Sequence, residues 1–391
     1  MKTAVLLFAG LVLTAQVEDF AFAQLPASGT LRDSDRPAFR AELARIDKLL
    51  AAAPEKATMT YVMARTYASA KQWPQTIEWL RKAVDLHAGL NPSRDSIFAD
   101  LRGTKEFAAL IEAAREAPLS TSRAAFTIRE GDLAPESVAY DARRQRFYFG
   151  SMRKNKVVRC SPSGDCAPFA TGLGEVLGLK VHGDGLWLLN NSKAESSLMH
   201  YDLSSASLVR KYSVAGSGHE FNDLAIAPSG DLYLTDTRAG AVWMLSNGST
   251  ELKRVPGKFQ FANGIALSAD AGLLYVSTFP DGITVVDLKS ATLAPIARPA
   301  NLCLLSIDGL YVHRGDLIAI QNGVMSPRVV RMTVSRDLRT IERFEILERG
   351  NPLFDGVTTG VIADDDFFYM ANIQDEKKGG FDPIMILKLH L

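Results

Sequence analysis

One pattern recurs from about residue 125 to the C-terminus, at intervals of roughly 40 to 50 residues. Each copy has a short apolar strand, a polar turn such as Pro-Ser-Gly-Asp at 228–231, and a second apolar strand, the composition of a β-hairpin. The six copies begin at Pro135, Leu177, Phe221, Ala262, Ile307 and Thr359. Six hairpins, each followed by a further pair of strands, predict a mainly β fold: six four-stranded sheets arranged radially as a six-bladed β-propeller.

In four of the copies the second residue has a carboxyl or amide side chain, and these residues are Glu136, Asn222, Asn263 and Asp308. The first strand of a propeller blade lines the central channel, so these side chains are expected to meet at one end of the axis. Carboxylates and amide carbonyls are ligands that Ca²⁺ prefers, and two carboxylates would neutralise a divalent ion. Alternatively, Asn or Asp before Gly simply forms a turn. The shared phase of all four residues favours a cation site.

The segments Pro-Glu-Ser, Phe-Asn-Asp, Asn-Gly-Ile and Ile-Asp-Gly follow one another in this order within about residues 130–375. In this they resemble the calcium-dependent six-bladed propellers of the senescence marker protein-30/gluconolactonase group. The resemblance implies that one divalent metal, calcium being the expected ion, binds Glu136, Asn222, Asn263 and Asp308. It also implies that Asp308 is the general base in the hydrolysis of a lactone or related ester. Ile307 stands where the family phrase has Pro, and the arginine-rich sugar-acid segment has no clear counterpart.

Three further polar residues lie near the strand that begins at Phe221. Paraoxonase-like relatives use a pair of histidines above the metal, and only His219 lies near a ligand strand here, so we consider His219 a second catalytic candidate. The other interpretation is a solvated loop histidine. Asp223 and Asp236 are candidates for orienting Asn222 or a metal-bound water through hydrogen bonds, without binding the metal themselves. The other interpretation is that both residues cap turns.

The first 23 residues have the pattern of a secretory signal peptide. Lys2 precedes the apolar run 4–13, and Ala-Phe-Ala at 21–23 predicts cleavage after Ala23, which would make the mature protein secreted or periplasmic. An oxidising compartment would permit a disulfide between Cys160 and Cys166, provided that both face the same side of their hairpin. Cys303 has no evident partner and is expected to be a small buried apolar residue.

Residues 24–117 have a different composition, rich in Ala, Leu, Arg and Lys, with helical spacing of apolar residues. The segment from Tyr61 to Leu86 resembles a tetratricopeptide repeat, with Trp73-Pro74 at the turn between its two helices. One such repeat is too few for an independent solenoid, so this region is either a structural cap or a module that docks a protein partner. Residues 118–124 are the expected linker into a propeller of residues 125–391, whose first and last strands would share the sixth blade.

Composition excludes several classes of function. The chain has 44 Lys and Arg against 44 Asp and Glu, so no large basic field attracts nucleic acid. It contains neither a Walker motif nor a Gly-x-Ser-x-Gly nucleophile elbow. The sequence therefore favours an exported metal-dependent hydrolase acting on a small lactone or ester. The main alternative is a non-catalytic propeller that binds a protein or small ligand around a structural metal, and a synthase or isomerase on the same scaffold stays open.

Overall fold

The computed structural model describes residues 36–52, 56–86, 92–93, 95–115, 117–278, 282–299, 302–373 and 381–391. The predicted signal peptide, residues 1–23, lies outside this range. None of the helices in the described ranges is both long and apolar enough to cross a membrane.

The described residues of the N-terminal region include four α-helices and a six-residue 3₁₀ helix. The α-helices are α1 (Arg36–Ala52), α2 (Lys56–Ser69), α3 (Trp73–Asp85) and α4 (Lys105–Ala114), and the 3₁₀ helix is Ser96–Leu101. Pro74 occupies the first turn of α3, where its missing N–H costs nothing. Thr104 caps α4 by accepting a hydrogen bond from the Phe107 N–H, which satisfies one of the helix's orphan donors. The predicted helical region is thus present, whereas its likeness to a tetratricopeptide repeat stays a prediction.

The rest of the described chain forms six antiparallel four-stranded sheets, which confirms the predicted six-bladed propeller. Blade 1 contains β2 (Val138–Asp141), β3 (Arg146–Gly150), β4 (Lys156–Cys160) and β5 (Cys166–Thr171). Blade 2 contains β6 (Glu175–His182), β7 (Gly185–Asn191), β8 (Glu195–Asp202) and β9 (Leu208–Ala215). Blade 3 contains β10 (Phe221–Ile226), β11 (Leu232–Asp236), β12 (Ala241–Leu245) and β13 (Lys253–Arg254).

The second half of the ring has the same organisation. Blade 4 contains β14 (Ile265–Leu267), β15 (Leu273–Thr278), β16 (Gly282–Asp287) and β17 (Leu293–Pro295). Blade 5 contains β18 (Ile307–His313), β19 (Asp316–Gln321), β20 (Arg328–Val334) and β21 (Ile341–Arg349). Blade 6 contains β22 (Gly360–Ala363), β23 (Asp366–Met370) and β24 (Ile384–His390), and β1 (Arg123–Ile128) is its outer strand. This pairing of the first and last strands closes the ring, as expected.

The first strand of each blade contacts the first strands of the two neighbouring blades, which makes an inner ring. Because every blade repeats one strand order, these inner strands run in the same direction, and their N-terminal ends lie at one end of the channel. The core fills the spaces between blades: Tyr233 of blade 3 and Val276 of blade 4, for example, belong to one buried cluster. A disulfide joins Cys160 to Cys166 across the β4–β5 hairpin, and Cys303 is buried.

Candidate functional site

The four proposed ligand residues all lie at the N-terminal ends of inner strands, and bulges occur at this level of the ring. The pairing of β10 with β11 shifts register between Phe221 and Leu224, and the pairing of β18 with β19 shifts between Ile307 and Leu310. A bulge leaves residues out of the ladder and re-aims their side chains. Asn222 and Asp308 therefore lie in segments whose side chains the sheet pairing does not constrain.

Backbone carbonyls at this level are occupied by contacts between blades. Thr359 Oγ1 donates to the Glu136 carbonyl at 2.5 Å, and Thr235 Oγ1 donates to the Asn263 carbonyl at 2.7 Å. A Cβ atom at Gly264 would lie 2.4 Å from the Asp308 carbonyl oxygen, so only glycine permits this approach of β18 to blade 4. The main-chain carbonyls of Glu136 and Asn263 thus hold neighbouring blades together, and these contacts leave their side-chain oxygens uninvolved.

The two carboxyl groups of the proposed site are almost fully buried, with Glu136 3% and Asp308 2% exposed. Asp308 Oδ2 accepts a hydrogen bond from Asn322 Nδ2 at 2.7 Å, and Asn263 donates a further side-chain hydrogen bond to the Asp308 carboxyl. Within the described ranges, neither Glu136 Oε2 nor Asp308 Oδ1 has a hydrogen-bond partner. Buried polar atoms are nearly always paired, so two orphaned carboxyl oxygens at one channel mouth call for a ligand.

Burial and mutual repulsion act on both carboxyl groups in the same direction. Burial raises the pKa of Glu136 well above its usual value, and the charges of Asp308 and Asp223 raise it further. Burial also raises the pKa of Asp308 to about 7, with a smaller contribution from Asp223, against the hydrogen bonds from Asn263 and Asn322. The electrostatic effect shows that these carboxyl groups lie close enough to interact, and a bound cation would relieve the repulsion.

The donor set is consistent with a hard cation, because all four proposed side chains offer oxygen. Among the residues that the structure describes, no three or more His, Cys, Asp or Glu side chains are grouped closely enough to hold a metal ion. A cation between Glu136 and Asp308 would therefore depend on the amide oxygens of Asn222 and Asn263. The unpaired oxygens of the two carboxyl groups are the observation by which the four proposed ligand residues fit a hard cation.

Asp223 is held beside this site by backbone donors and by a lysine that sequence reasoning missed. Its carboxyl oxygens accept hydrogen bonds from the Leu224 N–H at 2.8 Å and the Ile265 N–H at 3.3 Å. Lys180 Nζ lies 3.8 Å from Asp223 Oδ1 and 5.4 Å from the centre of the Tyr311 ring. Burial raises the pKa of Asp223, and Lys180 opposes that shift. The ammonium group of Lys180 in blade 2 thus connects the carboxyl group of Asp223 in blade 3 with the aromatic ring of Tyr311 in blade 5.

His219 lies in the loop before β10 and is held by Asp236. His219 Nδ1 is 2.6 Å from Asp236 Oδ2, and Trp243 Nε1 donates to the same oxygen at 3.0 Å. The other oxygen of Asp236 accepts hydrogen bonds from the Glu220 N–H at 3.0 Å and the Ala239 N–H at 3.1 Å. Asp236 is fully buried and fixes the ring of His219, whose side chain is 21% exposed. These contacts of Asp236 are with the His219 loop and with the β11–β12 hairpin, and none of them is with Asn222.

The His219 loop is joined electrostatically to the channel site by Glu220 and Glu175. The charge of Glu220 makes the smallest contribution to the raised pKa of Glu136, so the two carboxyl groups interact. Burial raises the pKa of Glu175 to about 7, with Glu220 raising it further and Arg238 lowering it. Arg238 Nη2 donates to Glu220 Oε2 at 2.8 Å. The register shifts put Leu177, not Glu175, in phase with Asn222 and Asp308, so the repeat gave no signal for Glu175.

The fold and this site define a class: a six-bladed propeller in which residues with side-chain oxygens lie at or just before the N-terminal ends of four inner strands. Residues 134–317 match the sequence model of the family described as SMP-30/Gluconolactonase/LRE-like region. The resemblance to the senescence marker protein-30/gluconolactonase group is therefore confirmed over this part of the chain. A search of characterised protein sequences gave no match.

Solved structures show the same fold at low sequence identity. A gluconolactonase from Xanthomonas campestris is 18% identical with a TM-score of 0.50, over 70% of this chain and 91% of that one. A calcium-binding regucalcin from Agrobacterium tumefaciens is 14% identical with a TM-score of 0.51, over 69% and 95%. The Malassezia sympodialis allergen Mala s 1 is 15% identical with a TM-score of 0.54, over 69% and 96%. These likenesses establish the fold alone, because proteins that share a fold differ widely in activity.

Proposed function

We propose that this protein is an exported, divalent-cation-dependent hydrolase that opens a lactone or cleaves a related ester, with calcium as the ion. The observation that carries the proposal is the pair of orphaned, buried carboxyl oxygens on Glu136 and Asp308. Their place at the channel mouth of a gluconolactonase-like propeller supports hydrolysis of a small ester. Glu136, Asn222, Asn263 and Asp308 would hold the ion, which when bound supplies Lewis-acid polarisation of the substrate carbonyl.

Asp308 is the proposed general base. Its Oδ2 is held by Asn322 at 2.7 Å, and its second oxygen has no hydrogen-bond partner among the described residues. That oxygen, Oδ1, is in a position to take the proton from an attacking water as the ester carbonyl is converted to a tetrahedral centre. Burial of Asp308 excludes bulk water, which strengthens each electrostatic contact in the site.

His219 is the proposed proton donor to the leaving alkoxide. In this role His219 acts in its doubly protonated form: Nδ1–H donates to Asp236, which fixes the plane of the ring, and Nε2–H is the proton left for the substrate, after which the ring is neutral. Trp243 holds the same carboxyl oxygen of Asp236 and keeps it from turning away. Proton transfer from Nε2 to the departing oxygen would complete the opening of a lactone ring.

Two features support export. The pattern of residues 1–23 is that of a cleaved signal peptide, and the Cys160–Cys166 disulfide fits an oxidising compartment. Disulfides are rare in the cytosol of mesophiles, because thioredoxin and glutathione keep thiols reduced there.

The test is hydrolysis of a panel of lactones and aryl esters by residues 24–391, with calcium and after chelation. Asp308→Ala and Asn263→Ala are compared with Asn247→Ala, an exposed amide of blade 3 remote from the axis. We expect turnover that is lost on chelation and in both axial variants, and is retained in Asn247→Ala. Calcium binding and thermal stabilisation without turnover of any substrate would instead indicate the binding module with a structural metal.

A further inference from the structure

The helical region and the propeller share one buried core. Its cluster contains side chains from α1 to α4 and the 3₁₀ helix, together with Cys303 and Leu305 of the propeller, and Phe261 packs against it. Leu305 is fully buried in this cluster, and Phe98 of the 3₁₀ helix is fully buried on the helical side. The two parts of the chain are therefore joined by apolar packing as well as by the linker.

The propeller residues in this core immediately precede two of the proposed ligands. Phe261 lies two residues before Asn263, and Leu305 lies three residues before Asp308. Both belong to connections that lead from an outer strand to the next inner strand, at the same end of the ring as the site. The helical core thus packs on the two segments that deliver Asn263 and Asp308.

The segment before Asp308 is held from the propeller side as well. Gln321 Nε2 donates to the carbonyl oxygens of Cys303 at 3.1 Å and Leu305 at 2.7 Å. Arg328 Nε in turn donates to Gln321 Oε1 at 2.8 Å. Hydrogen bonds from blade 5 fix the backbone of residues 303–305, and the helical core fixes their side chains. Removing the helical packing would leave this backbone held on one side only.

The linker reinforces the same blade. Leu119 pairs with Arg349 at the end of β21, and the N–H groups of Thr121 and Ser122 both donate to Glu348 Oε2 at 2.9 Å. Glu348 is fully buried, so these bonds are shielded from water. The chain between the helices and the propeller is therefore fastened to blade 5, which carries Asp308.

We propose that the helical region is a positioning element for the site: it holds in place the two segments that deliver Asn263 and Asp308. The role in metal binding rests on the proposed function, whereas the mechanical role does not. Glu136 and Asn222 follow segments outside this core, so they provide an internal comparison. The helical cap foreseen from the sequence would then act on half of the ligand set.

The test uses hydrogen exchange measured by mass spectrometry on the metal-free mature protein. Phe98→Ala truncates the core from the helical side, Leu305→Ala from the propeller side, and Leu305→Met restores most of the lost volume. Leu186→Ala, at a fully buried position of blade 2 in another cluster, is the matched control for general destabilisation. In Phe98→Ala and Leu305→Ala, peptides covering 259–266 and 302–311 should exchange at least tenfold faster, and those covering 134–141 and 219–226 should be unchanged.

Two further readouts sharpen the test. Cys303 is the one cysteine outside the disulfide and is buried in this core, so its alkylation rate should rise at least tenfold in Phe98→Ala and not in Leu186→Ala. Calcium affinity should fall at least tenfold in both core variants and recover in Leu305→Met. Uniform or unchanged exchange across the four peptides would overturn the proposal. The two core variants could show the selective exchange pattern while the wild type binds no calcium. That result would overturn the proposed function and leave the positioning role standing.

Discussion

The metal-free protein should lose stability as pH rises, because Asp308 is buried with an unsatisfied oxygen. Burial raises the pKa of Asp308 from its ordinary value of 3.8 to about 7 in the folded protein. Between these values the folded chain keeps a proton that the unfolded chain has released. The free energy of unfolding therefore falls as pH rises through this window. Glu136, whose pKa is also raised, acts in the same direction.

The size of the effect follows from the shift. A rise of about three pKa units, at about 1.4 kcal/mol each, is about 4 kcal/mol of stability lost between about pH 4 and pH 7. Asp308→Asn removes the ionisable group and keeps an oxygen to accept the hydrogen bond from Asn322. At pH 8 without metal, the variant should therefore be more stable than wild type by about 4 kcal/mol, and at pH 4.5 the difference should be small.

The assay is urea unfolding, followed by circular dichroism, of wild type and Asp308→Asn between pH 4.5 and 8 in a chelator. Asp270→Asn is the control: Asp270 is exposed, and its hydrogen bond from Ser268 lowers its pKa. A carboxyl group with a lowered pKa stabilises the fold at high pH, so this variant should lose a little stability at pH 8. Calcium should stabilise wild type at pH 8 far more than it stabilises Asp308→Asn.

The comparison between variant and wild type decides the result, since other carboxyl groups also titrate. If Asp308→Asn were less stable than wild type at pH 8 without metal, the buried carboxyl group would not be a source of strain. The buried carboxyl groups would then be no reason to expect a cation at this site. A stability difference independent of pH would have the same consequence, because the predicted difference comes from a proton.

Two further predictions concern the framework of the site. Gly264→Ala should weaken calcium binding at least tenfold, since its Cβ would lie 2.4 Å from the Asp308 carbonyl oxygen and 2.9 Å from the Leu310 nitrogen. Gly272→Ala, whose nearest contact would be at 3.4 Å, is the matched control, and equal calcium titrations of the two variants would contradict the prediction. Replacing Cys160 and Cys166 with Ser should lower the free energy of unfolding by about 2 kcal/mol, the loop-closure value for so short a loop. Urea unfolding of the double variant, with reduced wild type alongside, checks this, and an unchanged midpoint would show that the disulfide adds no stability.

Local sequence was sufficient to predict the propeller. Strand composition and turn chemistry depend on neighbours within a few residues, and six copies in one phase specify one architecture. The same phase indicated Glu136 and Asp308, each of which is buried with one carboxyl oxygen that has no hydrogen-bond partner among the described residues. Lys180 and Tyr311 could not be found in this way. Their contact joins blades 2 and 5, and it exists only once the ring has closed.

The sequence by itself determined the blade count and the phase in which the proposed ligand residues recur, because both depend on local periodicity. Only the tertiary structure decided which of those residues share an electrostatic environment, since repulsion between Glu136 and Asp308 requires a short distance between separate blades. It also decided that the helical region packs on the segments before Asn263 and Asp308. Apolar spacing predicts that a helix has a face to bury, and the surface that buries it is chosen by three-dimensional fit.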